Sequence, residues 1–294
     1  MNTYWIWFSR INKIGAMAQK KLLDKYKNPE IIWNLTEKEL QQNKYINRQS
    51  IEIILNKEFK KNLKAYEAYM DKNGITMITI EDKVYPDKLK NMYDSPVVLY
   101  VKGNYKILNN KAIAIIGSRN CTNYGKQMAQ KFAYNLSKQK INIVAGLANG
   151  IDTYAHIGTI KAGEKTIAVI GSGLNEIYPY ENKKVAEKII ELGGAIISEY
   201  VIGTKPEKLN FPARNRIISG LSEGVLVVEA REKSGTFITV DFALDQGKNV
   251  YAIPGNINNP TSKRNKQTNK TRSKDNNNRT RYFRRLLLKG LNSK

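Results

Sequence analysis

A single cysteine, a single histidine and eight prolines in 294 residues leave several chemistries without material. Cys121 has no second thiol for an intramolecular disulfide, and no histidine stands near it in sequence to activate it as a nucleophile. Long apolar runs are missing too. Nothing approaches the roughly 20 residues that cross a bilayer, and Met1–Arg10 lacks a basic start followed by an apolar core. These absences point to a soluble, cytoplasmic protein with no membrane partner. Acid is the scarce charge, with 26 Asp and Glu against 49 Lys and Arg and a net charge of +23. A field of that sign attracts polyanions such as nucleic acid or acidic lipid; A/T-rich codons, which also favour the abundant Asn and Ile, produce basicity as well. Residues 264–294 hold +10 of the total and leave +13 on the remainder, so the body is basic without its tail.

Hydrophobic residues at 41% and charged residues at 26% exclude wholesale disorder. The length suits one large domain and a small appended one, each with a core. From Tyr4 to about Lys64, apolar residues recur at helical spacing, as in Ile11, Ile14, Met17, Leu22 and Leu23, predicting a small helical domain over residues 1–65. Within it, Ile11-Asn-Lys-Ile-Gly15 followed by Lys20 and Lys21 resembles the first half of a helix-hairpin-helix unit, whose amides can hold a phosphate; a plain helical turn at Gly15 is the commoner explanation. Residues 66–110 carry two β-branched runs, from Ile75 to Thr79 and from Val97 to Val101, separated by Tyr85-Pro86 and Ser95-Pro96 turns, and form a connector with edge strands. Over 111–263 six buried apolar runs alternate with helical stretches: 112–117, 141–146, 166–171, 195–198, 224–229 and 249–255. That alternation predicts an α/β fold built on a parallel, doubly wound sheet. Its ligand belongs beyond the carboxyl ends of the strands.

The loops at that edge carry the candidate chemistry. Gly117-Ser118-Arg119 after the first run offers close backbone approach, a hydroxyl donor and a guanidinium that pairs with phosphate; a plain strand-to-helix turn is the alternative. Asp152 and His156, four apart on one helix face, lack a third ligand for a metal and read as a structural pair bracing their loop. Gly171-Ser172-Gly173-Leu174-Asn175-Glu176 begins like a dinucleotide fingerprint, but Glu176 stands where a glycine belongs and would oppose a pyrophosphate. No cofactor and no metal is therefore expected. The densest cluster is Lys205, Lys208 and Phe211-Pro-Ala-Arg214-Asn215-Arg216. Ammonium charges for phosphates, an aromatic ring for a base and an Arg-Asn-Arg set at a helix start suit sequence-tolerant single-strand binding. Core packing for Phe211, and a solvated face or internal salt bridges, as with Glu229, for the arginines, are the plainer readings. Ser234-Gly235-Thr236 ahead of a helix makes an anion nest.

Seven ordered motifs resemble the signatures of the DprA/Smf family across roughly residues 75–263. They are Gly117-Ser-Arg, Gly146-Leu-Ala-Asn-Gly-Ile-Asp, Gly171-Ser-Gly-Leu with Tyr178-Pro179, Phe211-Pro-Ala-Arg-Asn-Arg-Ile-Ile-Ser-Gly220, Val227-Val-Glu-Ala230, Ser234-Gly-Thr and Ile253-Pro-Gly-Asn256. The resemblance implies a Rossmann-like domain that binds single-stranded DNA, dimerises and helps load the RecA recombinase during natural transformation. It implies that Arg119, Lys208 and Phe211 contact DNA while Gly117, Ser118 and Asn215 shape the phosphate site, and that the N-terminal region corresponds to a sterile-alpha-motif-like domain. A related Rossmann-like enzyme, a nucleoside-monophosphate hydrolase, is the alternative. In that enzyme a Glu follows the Gly-Thr motif, and here Thr239 takes its place, which removes the evident general base. A nucleotide-sensing module is a third reading, and it needs neither Phe211 nor Lys208.

From Arg264 the family pattern stops and the chain turns polar, basic and aperiodic. Such proteins continue instead with Ser-x-Gly-Thr-Asn, an aliphatic helix and an acidic end. Back-translating Arg264 to Asn269 with permitted codons and dropping one base restores Gly-Thr-Asn-Lys-Leu-Ile, which points to a one-base frameshift near Lys263. The alternative is a genuine disordered basic arm that adds nucleic-acid affinity. A frameshift would cost the sheet domain its last helix and expose the apolar patch beneath. Sequencing the gene across Lys263 and Arg264 is expected to reveal the shift; well-supported bases in the unshifted frame dismiss it.

Overall fold

Capping residues in the N-terminal sequence set its helices. The computed structural model describes residues 2–11, 14–230 and 234–253. The basic tail, most of the Ile253–Asn256 motif and the Asn12-Lys13 pair of the hairpin-like motif lie outside the described residues. Six helices come first: α1 (Asn2–Ser9), α2 (Ala16–Tyr26), α3 (Pro29–Asn34), α4 (Glu37–Gln41), α5 (Arg48–Leu55) and α6 (Leu63–Lys72). Asn28 accepts from Glu30 N–H at 2.8 Å, Thr36 and Glu39 form a reciprocal capping box, and Asn47 accepts from Ser50 N–H at 2.9 Å. Each cap satisfies amides that a helix start leaves open, a contribution of about 1 kcal/mol. Helix α1 is apolar on all sides and accordingly buried, with Trp5, Ile6, Trp7 and Phe8 at most 5% exposed.

The sheet follows. Its elements are β1 (Ile75–Thr79), α7 (Asp87–Lys90), β2 (Val98–Gly103), β3 (Ala112–Ile116), α8 (Asn123–Lys138), β4 (Asn142–Ala145), α9 (Ile151–Lys161), β5 (Thr166–Val169), α10 (Lys183–Glu191), β6 (Ala195–Ser198), α11 (Asn210–Leu221), β7 (Gly224–Val227), α12 (Thr236–Asp245) and β8 (Asn249–Ala252). The strands lie in the order β1-β2-β6-β5-β4-β3-β7-β8. Strands β3 to β8 are parallel, with Ala114 opposite Val144 on one side and Val225 on the other. Strands β3 to β7 are buried along their whole length, because helices cover both faces. Strands β1 and β2 add to the edge in antiparallel fashion, β2 against β6. This is the doubly wound α/β sheet that the alternating runs predict. Chain order reverses between β3 and β7, and that reversal opens a crevice beyond their carboxyl ends.

The helical layer does not keep a core to itself. One cluster of buried side chains runs from Trp7, Leu22 and Ile32 to Val98 and Tyr100 on β2 and to Ala186 and Ile189 on α10. Polar contacts reinforce it: Ser9 Oγ lies 2.7 Å from Tyr100 Oη, and Lys20 Nζ donates to the carbonyls of Lys90 at 3.2 Å and Met92 at 2.5 Å. Lys20, which in sequence stands beside a possible phosphate-binding hairpin, is thus turned into the chain. The same connector loop supplies Asp94 to Arg216 Nε at 3.3 Å, while Glu199 accepts from Nη2 of that guanidinium at 2.5 Å.

Arg216 therefore ties α11 to β6 and to the connector from a position 5% exposed. Removing one member of a buried ion pair leaves an uncompensated charge. Arg216→Ala is expected to lower the unfolding free energy by about 3 kcal/mol, measured by urea denaturation.

Candidate nucleic-acid interface

Four strand ends and one helix start converge on the crevice. Gly146 follows directly on β4, and β5 ends at Val169; the carbonyls of Gly146 and Val169 both accept from Arg214 Nη1, the former at 2.6 Å. Arg214 sits on the first turns of α11 and is 4% exposed. The Gly146 N–H in turn donates to Asp152 Oδ2 at 2.9 Å. A side chain at Gly146 has no room: a Cβ there would lie 2.6 Å from both Arg214 Nη2 and Asp152 Oδ2. Burial pushes the Asp152 carboxyl up to about 6, against the pull of the Arg214 charge. The Asp–Arg arrangement holds two strand ends and the helix in one register.

Arg214 thereby aims its own helix. One turn earlier Phe211 is half-buried, with the Arg214 guanidinium 6.0 Å and the exposed Arg119 guanidinium 5.6 Å from its ring centre. The Tyr178 ring, 49% exposed, packs 5.7 Å from Phe211 at 44°. Before the helix, Lys205 and Lys208 are exposed, and Leu209 is 83% exposed, an unusual position for leucine. The backbone that carries Arg119 is fixed from beneath: Ser118 N–H donates to the Glu229 carbonyl at 2.7 Å, and Gly150, at φ 81°, lets α9 start directly under residues 118 and 119.

Several residues that the sequence suggests as phosphate contacts have other partners. Arg214 holds main-chain carbonyls, and its Nε donates to Asn215 Oδ1 at 3.2 Å, so it positions the site from below rather than reaching its surface. Ser172, 1% exposed, donates to the Glu176 carbonyl at 2.6 Å. Gly173 N–H donates to the Thr204 carbonyl, and a Cβ on Gly173 would meet the Val201 carbonyl. Gly171 instead makes room for Phe211, which a Cβ there would approach to 3.2 Å. This loop closes on itself, and α10 starts only at Lys183, so the helix start that a dinucleotide needs is not adjacent. Ser118 Oγ donates to Asn120 O at 3.1 Å. Glu229, a candidate salt-bridge partner for the arginines, instead accepts from Thr122 N–H at 2.9 Å at the start of α8. A carboxylate of the protein therefore already occupies that helix terminus. Gly117 packs against Ile151 and the Glu229 carbonyl. At α12, Ser234 Oγ accepts from Thr236 N–H at 3.2 Å and lies 2.8 Å from Thr236 Oγ1, with Gly235 exposed between them. Burial pushes the Cys121 thiol up, the wrong direction for a nucleophile.

Asp152 braces its loop through the backbone N–H groups of Gly146 and Ala148, whereas His156 turns the other way. His156 is fully buried, and its Nδ1 lies 2.9 Å from Thr166 Oγ1, whose own proton goes to the Ile143 carbonyl at 2.7 Å. Nδ1 must therefore be the donor, which leaves Nε2 an acceptor without a partner among the described residues. No group of three metal-ligating side chains occurs among the described residues.

The profile of the family described as DNA recombination-mediator protein A matches residues 76–282. The chain belongs to that family. Among its relatives, the DNA processing protein DprA of Bacillus subtilis is 46% identical over 188 residues, which are 64% of this chain and 63% of that protein. Protein Smf of Synechocystis is 36% identical over 258 residues, 85% of this chain and 64% of the relative. The chain thus spans just under two thirds of the length of these relatives. The solved DNA processing protein A of Streptococcus pneumoniae superposes with a TM-score of 0.72 at 33% identity, covering 93% of this chain and 94% of that one. The Helicobacter pylori DNA processing protein A, solved for its single-stranded DNA binding mode, gives 0.63 at 30% identity over 73% of this chain and 96% of that one. No helix among the described residues is long and apolar enough to cross a membrane.

The buried imidazole has a thermodynamic signature. Burial, helped by the Arg214 charge, depresses the His156 pKa to about 3, so below an ordinary value of about 6.5 the unfolded chain takes up a proton that the folded chain refuses. Stability is therefore lost as pH falls through that window. His156→Gln removes the one histidine; between pH 6 and pH 4 the wild type is expected to lose about 1.4 kcal/mol per pH unit relative to the variant, read by denaturant titration of both.

Proposed function

We propose that the protein binds single-stranded DNA at this rim and serves recombination as a mediator without catalytic turnover. One observation carries the reading: an exposed guanidinium, Arg119, stands over Phe211 beside the exposed Tyr178, with Lys205, Lys208 and Leu209 leading into the same helix. Phosphates meet Arg119, Lys205, Lys208 and the Ser234-Gly235-Thr236 turn. Bases pack on Phe211 and Tyr178, a contact indifferent to base identity because every base has a flat apolar face. Single-stranded DNA binding by the Helicobacter pylori relative supports this assignment. By the same likeness we extend the reading to a cytoplasmic homodimer that protects incoming DNA and passes it to RecA in natural transformation. The hydrolase alternative is weaker, since Thr239, in the place of its glutamate, is 3% exposed and carries no carboxylate.

Charge and stacking leave different marks in a salt titration. Lys208→Ala and Arg119→Ala are each expected to weaken binding of every sequence and to flatten the slope of log affinity against log salt by about 0.7. Phe211→Ala should cost about 1–3 kcal/mol with the slope unchanged. Fluorescence anisotropy with labelled oligonucleotides reads all three; unaltered affinity in the two charge variants defeats the assignment, and release of base from AMP would favour the hydrolase.

A further inference from the structure

A second cleft lies in the helical layer, formed by residues of α1 and α3 and the start of α6. Its volume is 540 Å³, within the span of about 300–1,000 Å³ typical of small-ligand sites. One wall is aromatic: Tyr4 and Trp33 meet edge to face at 5.4 Å and 83°, and Trp7 backs Trp33 at 5.0 Å. Lys60 Nζ lies 4.6 Å from the Trp33 ring centre and donates to the Trp33 carbonyl at 2.7 Å. Burial pushes this ammonium down, so it gains from a nearby anion. Behind the wall, the buried Trp7 indole N–H has no acceptor among the described residues.

The mouth of the cleft is the first turn of α6. Asn62 occupies the cap position at φ 58° without a side-chain cap bond, no acid stands in the first turn, and Lys64 is exposed there. The positive end of that helix is thus unneutralised by its own side chains. Two acids beside the wall are already engaged with its lining: Glu67 accepts from Thr3 Oγ1 at 3.1 Å, and Glu30 pushes the Tyr4 hydroxyl pKa up.

An aromatic corner, in which the Tyr4 and Trp33 rings stand nearly at right angles, and cationic groups around one small cavity match a ring joined to a phosphate. A simple cation is disfavoured, because Lys60 already takes the cation position over Trp33. A duplex is too wide for the space. We propose that this cleft is a second nucleotide site, with a base against the Tyr4–Trp33 wall and its phosphate toward Lys64, Lys60 and the start of α6. The nucleotide is either one unit of a single strand or a free mononucleotide. Only the first source rests on the reading of the sheet rim.

The full chain carrying Arg119→Ala and Lys208→Ala weakens the rim by two of its charges and leaves the cleft intact. Trp5 and Trp7 are buried at 5% and 0% exposure, so Trp33 is the tryptophan a cleft ligand can quench. Titration with oligo(dT) and with dTMP is expected to quench saturably. Lys64→Glu in that background should weaken the quench about tenfold, the scale of one lost charge-assisted contact. Lys61→Glu, exposed and paired with Glu58 at 2.5 Å outside the cleft, should leave it unchanged. Quenching by oligo(dT) alone supports the strand as source, and quenching by dTMP supports a free nucleotide. Absence of quenching by both ligands up to millimolar concentration overturns the proposal, as does an equal effect of Lys61→Glu and Lys64→Glu. A rim that fails is seen separately, as wild-type affinity no tighter than that of the double variant.

Discussion

The rim of this sheet depends on one buried guanidinium. Arg214 is sunk beneath the carboxyl ends of β4 and β5, where two carbonyls point out of the sheet with no further strand to receive them. An unpaired carbonyl there, or an unpaired charge, would each be costly. Joining them satisfies both and fixes how far α11 enters the crevice. Gly146 is the space this arrangement needs, and Asp152 places a carboxyl group across that space. Phe211, three residues upstream on the same helix, is then presented where the Arg119 loop can reach it.

That loop is set by a similar division of labour. Glu229 caps α8 through Thr122, and its carbonyl takes the Ser118 N–H, so the end of β7 dictates the path of the chain after β3. Arg119 itself is left exposed. The pattern repeats around the crevice: Ser172, Ser118 and Ser234 turn their hydroxyls to nearby backbone or side-chain groups, while the long cations Lys205 and Lys208 stay at the surface. Short polar side chains shape these loops, and long flexible ones face outward, as a surface that follows a flexible polyanion requires.

The helical layer is coupled to this framework more tightly than its composition suggests. Helix α1 contributes both to the cluster beneath β2 and to the aromatic wall of the second cleft. Lys20 grips the connector loop from which Asp94 reaches Arg216, and Arg216 lies two residues beyond Arg214 on α11. A continuous set of packed and paired groups thus links the layer to the helix that carries Phe211.

Much of this is legible in the amino-acid sequence. Each apolar run that ends near a turn became a strand of the parallel sheet, because burial on both faces demands uninterrupted hydrophobicity. The glycines after those runs mark the edge where ligands collect, and Arg119, Lys208 and Phe211 stand out there by residue type. The depth of a side chain was not legible. Arg214 and Lys208 are both cations in one short segment, and only the packing of α11 against the ends of β4 and β5 makes the first an internal brace while the second stays in solvent. Likewise Tyr178 lies far from Phe211 in sequence, and Tyr4 far from Trp33; nothing in local pattern pairs them. Periodicity and residue chemistry determined the sheet, its edge and its charge, since these depend on neighbours along the chain. Which polar groups face inward was decided by the tertiary structure, because a buried donor goes to whichever carbonyl the fold brings within reach.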